Sequence, residues 1–130
     1  MASLFSKIIR GEIPCHKVWE DEHHFAFLDI RPFNQGHTLI VPKKEHDYIF
    51  DMPISESEAL WRASHEVAMI LKDALQCQRV VVMVLGYEIA HTHIHLIPTN
   101  HESDVLPPRA QSVTQEELAQ IASQIRSSIK

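Results

Sequence analysis

His91, His93 and His95 stand at alternate positions in the segment His91-Thr92-His93-Ile94-His95-Leu96-Ile97. Successive side chains of a strand point to opposite faces, so the three imidazoles share one face while Thr92, Ile94 and Leu96 take the other. That pattern suits a sheet packed on a core from one side. A lone histidine is most often a surface residue or a satisfied core residue. Three in strict alternation beside apolar partners form a ridge close enough to share one ligand. Two chemistries fit the ridge: a metal site, or a phosphate site in which one imidazole is the nucleophile.

The elements that must position this ridge can be read in order. Leu4, Phe5, Ile8 and Ile9 follow a helical period that Gly11 and Pro14 end. Val18-Trp19 starts a short strand, Glu20-Asp21-Glu22 turns, and His24 to Ile30 reads as the next strand with Asp29 near its end. Arg31 to Gly36 is a loop on its Pro and Gly signals, and His37 to Pro42 is a third strand that opens on a histidine. A loop this short makes the two strands antiparallel neighbours.

A long helix follows, with Ser55 and Glu58 as a capping box. Its buried side is expected to be Leu60, Trp61, Val67, Met69, Ile70, Leu71 and Leu75, with His65 a surface or packing residue and not a ligand. Val80 to Leu85 is apolar throughout, as in a central strand, and Gly86 to Ala90 connects it to the histidine strand. Pro107-Pro108 reads as a stop. Thr114 and Glu117 cap a last helix over 114–129, whose apolar stripe is Leu118, Ile121, Ala122 and Ile125. The expected fold is α+β, a mainly antiparallel sheet of roughly five strands with two main helices, in one domain spanning 1–130.

Composition narrows the function classes. A chain of 130 residues can bury one core, and its 45% hydrophobic and 22% charged shares are those of a globular protein. A net charge of −5 argues against a broad nucleic-acid footprint but leaves a small phosphate ligand open. The N-terminus lacks the apolar run of a signal peptide, and no stretch approaches the roughly 20 apolar residues of a membrane span. Cys15 and Cys77 have no disulfide or metal spacing and read as reduced thiols in a cytoplasmic protein.

The histidine segment resembles the triad of the HIT superfamily, with Thr92 at a usually apolar position. Leu4-Phe5-Ser6-Lys7-Ile8-Ile9-Arg10-Gly11-Glu12-Ile13-Pro14 resembles the family's opening helix. Phe27-Leu28-Asp29-Ile30 resembles its ribose-contacting strand, and Gly36 to Lys43 its third strand. These matches run in the family's order and cover most of residues 3–98, leaving the last helix as an extension.

The resemblance implies a HIT-like fold and a Hint-like hydrolase. Such an enzyme cleaves nucleoside phosphoramidates at the α-phosphorus through a nucleotidyl-histidine and releases a nucleoside monophosphate. It implies His93 as nucleophile, with the His91 backbone carbonyl taking its other ring proton. His95 and His37 donate to phosphate oxygens, and the His91 side chain orients. Asp29 is implied to take the ribose hydroxyls of a purine nucleotide. Leu4, Phe5, Ile8, Ile13, Phe27 and Ile30 form the base slot, and Gly86 and Glu88 approach the phosphates through backbone amides. Core packing is the rival reading for each apolar residue of that slot. The resemblance also implies a homodimer that extends the sheet, and no cofactor.

Two departures shape these expectations. Ser3 and Ser6 occupy the place of a Cys-x-x-Cys pair that helps hold a structural zinc in some relatives, so no such site is expected. The loop Gly86-Tyr87-Glu88-Ile89-Ala90 is short and lacks the Asn, Gln and hydroxyl side chains that meet phosphates in many relatives. Dinucleoside polyphosphate hydrolysis and a nucleotide-binding module with little turnover are the alternatives. A three-histidine metal enzyme is disfavoured because the motif shows no carboxylate partner. His46, one residue out of register with a family histidine, is unassigned.

Overall fold

The computed structural model describes residues 2–106 and 113–129. Eight regular elements follow one another: α1 (Leu4–Ile9), β1 (Lys17–Glu20), β2 (His24–Leu28), β3 (Thr38–Pro42), α2 (Ile54–Leu75), β4 (Arg79–Met83), β5 (Ile94–Thr99) and α3 (Gln115–Ser127). The five strands form one sheet in the order β1-β2-β3-β5-β4, and every neighbouring pair is antiparallel. This is the expected α+β architecture with α2 and α3 as its main helices. Pro107-Pro108 lies outside the described residues.

The period-two pattern of the strands separates two cores. Val18, Ala26, Leu28, Ile40, Ile94 and Leu96 point to the face covered by α2 and α3. There they meet Leu60, Ala63, Val67 and Leu71 of α2, and Leu118, Ile121, Ala122 and Ile125 of α3. Phe25, Phe27, Leu39 and Val41 point the other way and pack with Phe5 and Ile8 of α1. The sheet is therefore covered on both sides, and β2, β3 and β5 are buried along their whole length. The one-sided packing read from the histidine strand does not hold, because α1 folds over the second face.

Three other expectations change. The Val80–Leu85 run reads as central, yet β4 is an edge strand and Val82 is 48% exposed. Trp61 and Met69, expected on the buried side of α2, are 40% and 60% exposed. The helix has too many apolar residues for the stripe that faces the sheet, and these two spill outside it. The Ser55–Glu58 capping box is absent. α2 instead begins after Pro53, whose ring fixes φ at −53° and whose carbonyl accepts the Glu56 and Ser57 N–H groups. At the other end of the chain Thr114 Oγ1 does accept the Glu117 N–H, as its sequence position predicts.

One glycine fixes the loop that delivers His37. Gly36 takes φ +86°, and a Cβ there would collide with Leu75 and crowd Pro98 Cγ at 3.3 Å. The same loop is tied to β5 by Asn34 Nδ2 donating to the Pro98 carbonyl at 3.0 Å.

Candidate active site

On the face away from α2 and α3, a cleft of about 460 Å3 opens between α1, the end of β2 and the loop before β5. Its walls include Leu4, Phe5, Ile8, Ile13, Phe27, Asp29, Ile30, Gly86, Glu88, His93 and His95. Eleven residues singled out by sequence thus meet around one cavity. His91 and His37 stand behind it, both essentially inaccessible. Phe5, Ile8 and Phe27 are buried and serve as core as well as wall, whereas Leu4 and Ile30 are exposed at the rim.

The triad is not one continuous strand. β5 begins at Ile94, so His91 and His93 precede the ladder and only His95 is paired within it. The rings nevertheless stay close: His93 and His95 centroids are 5.0 Å apart, and Phe5 packs its edge against His93 at 4.9 Å. His37, just before β3, reaches His95 because β3 and β5 are neighbours, with Leu39 opposite His95.

Hydrogen-bond partners of fixed sense assign the tautomers, since an amide N–H only donates and a carbonyl only accepts. His93 Nδ1 lies 2.8 Å from the His91 carbonyl and must donate to it, which leaves the lone pair on Nε2. The Phe33 N–H donates to His37 Nδ1 at 3.0 Å, so neutral His37 carries its proton on Nε2. That proton faces His95 Nδ1 at 2.9 Å, closer than Asp29 Oδ2 at 3.6 Å. His95 consequently keeps its own proton on Nε2. One imidazole in the cleft presents a lone pair and its neighbour presents a donor.

Asp29 is a carboxylate held at the mouth of this arrangement. Its N–H donates to the His37 carbonyl at 2.9 Å, and its Oδ1 accepts the Arg31 N–H at 2.8 Å. Asp29, His37 and His95 could converge on a cation, because their ligand atoms lie within 4.8 Å of one another. The hydrogen bonds argue otherwise. With its Nδ1 lone pair engaged by Phe33, His37 offers only a protonated Nε2 to that point. A protonated ring nitrogen has no lone pair for a metal, so His37 is not a ligand in this hydrogen-bonded state.

His91 faces inward. Its Nε2 donates to the Pro42 carbonyl at 2.7 Å, and its Nδ1 lies 2.6 Å from Ser3 Oγ, which must therefore donate. Burial holds the His91 pKa below the ordinary histidine value, against the opposing pull of the Pro42 carbonyl and of Glu45. The unfolded chain binds a proton near pH 6.5, where the folded ring still resists it. Its contribution is thus complete above about pH 6.5 and is lost as pH falls through the lower folded value. The expected result is a Tm that drops by about 3 °C or more between pH 7 and 5, with a smaller drop in His91→Gln. Equal slopes in calorimetric scans of the two proteins would remove His91 as the cause.

Sequence reasoning missed part of this site. Arg31, Leu85, Tyr87 and Ile89 line the cleft, and Glu45 supports it from behind. Ser3 appeared only as a failed zinc ligand, although Ser-x-x-Ser at the head of a helix is also a capping signal. Nothing local distinguishes Glu45 or the rim residues from surface positions.

Fold and histidine cluster together define a histidine-triad protein, and comparison with known proteins places it further. Residues 10–102 match the HIT domain, and the chain belongs to this family. It is 42% identical over 105 residues to a HIT-like protein of Methanocaldococcus jannaschii, covering 78% of this chain and 81% of that one. It is 36% identical over 110 residues to the adenosine 5'-monophosphoramidase of Saccharomyces cerevisiae, covering 81% and 67%. Among solved structures, a Hit-like protein involved in cell-cycle regulation from Bartonella henselae superimposes with a TM-score of 0.86 at 30% identity, covering 98% and 96%. α3 lies beyond the matched domain, yet the near-complete structural coverage extends over it.

Proposed function

We propose that this chain is a nucleotidyl hydrolase acting on nucleoside phosphoramidates. The observation that carries the reading is the His93 tautomer: Nδ1–H held by the His91 carbonyl, Nε2 with its lone pair, in a cleft beside the donor His95. In the first step Nε2 attacks the α-phosphorus, the P–N bond to the leaving amine breaks, and the amine takes up a proton from solvent. In the second, water attacks the nucleotidyl-imidazole and returns a proton to solvent as the P–N bond to His93 breaks, releasing a nucleoside monophosphate and restoring the His93 lone pair. His95 donates from Nε2 toward the non-bridging oxygens, where charge concentrates. Buried His37, whose own proton is engaged by His95 Nδ1, acts behind it by holding that tautomer rather than by donating to phosphate. Asp29 takes the ribose hydroxyls, and the apolar walls from α1 and β2 sandwich a purine base.

The phosphoramidase relative in yeast supports this class. Glu88 at the cleft supports it over dinucleoside polyphosphates, because a carboxylate there opposes a leaving group with several negative charges. The assay compares adenosine 5'-phosphoramidate with a dinucleoside tetraphosphate, each labelled at the α-phosphorus and quenched in alkali, which spares phosphoimidazoles. Expected are label on the protein, AMP release, and a kcat/KM at least about tenfold higher for the phosphoramidate. Binding of both nucleotides with neither label nor AMP would identify a nucleotide-binding module instead.

Assembly belongs to the same reading. Val82 and Leu85 at the β4 edge and Trp61 and Met69 on α2 leave apolar surface exposed, which a two-fold partner covers by continuing the sheet. Two unpaired thiols fit a reducing, cytoplasmic setting. No described helix is long and apolar enough to cross a membrane.

A further inference from the structure

The carbonyl that orients His93 belongs to a residue without strand support. His91 precedes β5, so no ladder fixes its peptide; the plane that carries its carbonyl is held instead by the Thr92 N–H, which donates to the His46 carbonyl at 2.6 Å. The His91 ring supplies a second anchorage on the side-chain end of the same residue. It reaches β3 through the Pro42 carbonyl and the head of α1 through Ser3 Oγ. Ser3 is itself held: its Oγ accepts the Ser6 N–H at 3.0 Å, and its own N–H donates to Glu45 Oε1 at 2.6 Å. The Ser6 hydroxyl donates to the same Glu45 oxygen at 2.5 Å. These bonds hold the Glu45 carboxyl well below its ordinary value, at about 2, with the Ser3 N–H contributing most.

We propose that Ser3 and Glu45 are positioning residues for the nucleophile, acting through His91. Glu45 fixes the head of α1, and Ser3 donates to the one His91 nitrogen that Pro42 leaves available. The ring so clamped, together with the Thr92–His46 bond on the same peptide, aims the His91 carbonyl at His93 Nδ1. The clamp also joins two parts of the cleft, since the Ser3 that caps α1 positions Leu4 and Phe5 in its wall. The kinetic consequence rests on the hydrolase reading; the geometric one does not.

Three variants separate this role from simple helix capping. Ser3→Gly removes the hydroxyl while glycine remains a tolerable N-cap; Ser3→Thr keeps both hydroxyl and cap; Glu45→Ala removes the anchor. Ring tautomers are read by two-bond 15N–1H correlation at pH 8, without nucleotide. Expected is a His93 signal of the pure Nδ1–H form in wild type and Ser3→Thr, and a mixed or exchange-broadened signal in Ser3→Gly and Glu45→Ala. With adenosine phosphoramidate, Ser3→Gly loses about tenfold in kcat with KM within about twofold, and Ser3→Thr recovers to within about threefold of wild type. An unchanged His93 tautomer in both Ser3→Gly and Glu45→Ala overturns the inference, as does a rise in KM alone. A wild type that shows the tautomer but turns over no nucleotide overturns the hydrolase reading and leaves the positioning role standing on the spectra.

Discussion

His93→Asn is expected to lower kcat at least about 1,000-fold, equivalent to about 4 kcal/mol of transition-state stabilisation. Asparagine places an amide N–H near the position of Nδ1 and can still donate to the His91 carbonyl, but it has no nucleophilic nitrogen where Nε2 stood. The ring is buried against Phe5, so the shorter side chain also costs some packing, about 1 kcal/mol. Nucleotide affinity, measured by calorimetry, stays within about threefold because the contacts proposed for base and ribose lie elsewhere. The alkaline-quench label disappears. Label retained on the His93→Asn protein, with turnover near wild type, would move the nucleophile to another residue.

His37→Phe carries the second large effect. Phenylalanine preserves the ring volume behind the cleft but deletes the ring's hydrogen bonds to Phe33 and His95. The Phe33 N–H loses its acceptor, and His95 Nδ1 loses the donor that keeps its proton on Nε2. Loss of one aligned donor to a developing charge costs about 100-fold in kcat. A buried N–H left without a partner costs about 1–3 kcal/mol of stability, read by urea unfolding. The two readouts are independent, which makes the variant informative even when it is less stable. Turnover within about threefold of wild type would show that the His37–His95 bond is not part of the chemistry.

Much of the fold was legible because strands and helices impose different periods. The near-continuous apolar runs in His24–Leu28 and Thr38–Pro42, set apart by the Pro- and Gly-bearing loop between them, located the two strands, and the α3 stripe with its Thr114 cap located the last helix. Position within the sheet was not legible. An all-apolar run such as Val80–Leu85 reads the same in the middle of a sheet as at an edge awaiting cover. The excess apolar residues of α2 misled in the same way, since exposure is decided by neighbours and not by the stripe itself.

The cleft walls were found through family likeness together with residue chemistry. The histidine alternation survived as ring proximity even though the ladder starts only at Ile94. The hydrogen-bond sense was beyond the sequence. Which nitrogen of His37 carries the proton depends on a Phe33 amide four residues away, in a loop whose path follows from Gly36. Glu45 is further still from His91 in the chain, and only the folded-over α1 brings them into one network.

The two-faced sheet has a consequence for how such a protein can change. Side chains at even positions of β2 and β3 meet α2 and α3, while their odd neighbours line or underlie the cleft. A substitution at Leu39 or Ile13 alters the shape offered to a ligand without disturbing the Leu60–Val67–Leu71 packing on the opposite side. Ligand preference is in this sense insulated from the larger core, though Leu39 also belongs to the smaller one. A lineage carrying this sheet can change what the cleft accepts by single replacements on one face, each tested by selection for binding and for the smaller core, while the larger core is left alone.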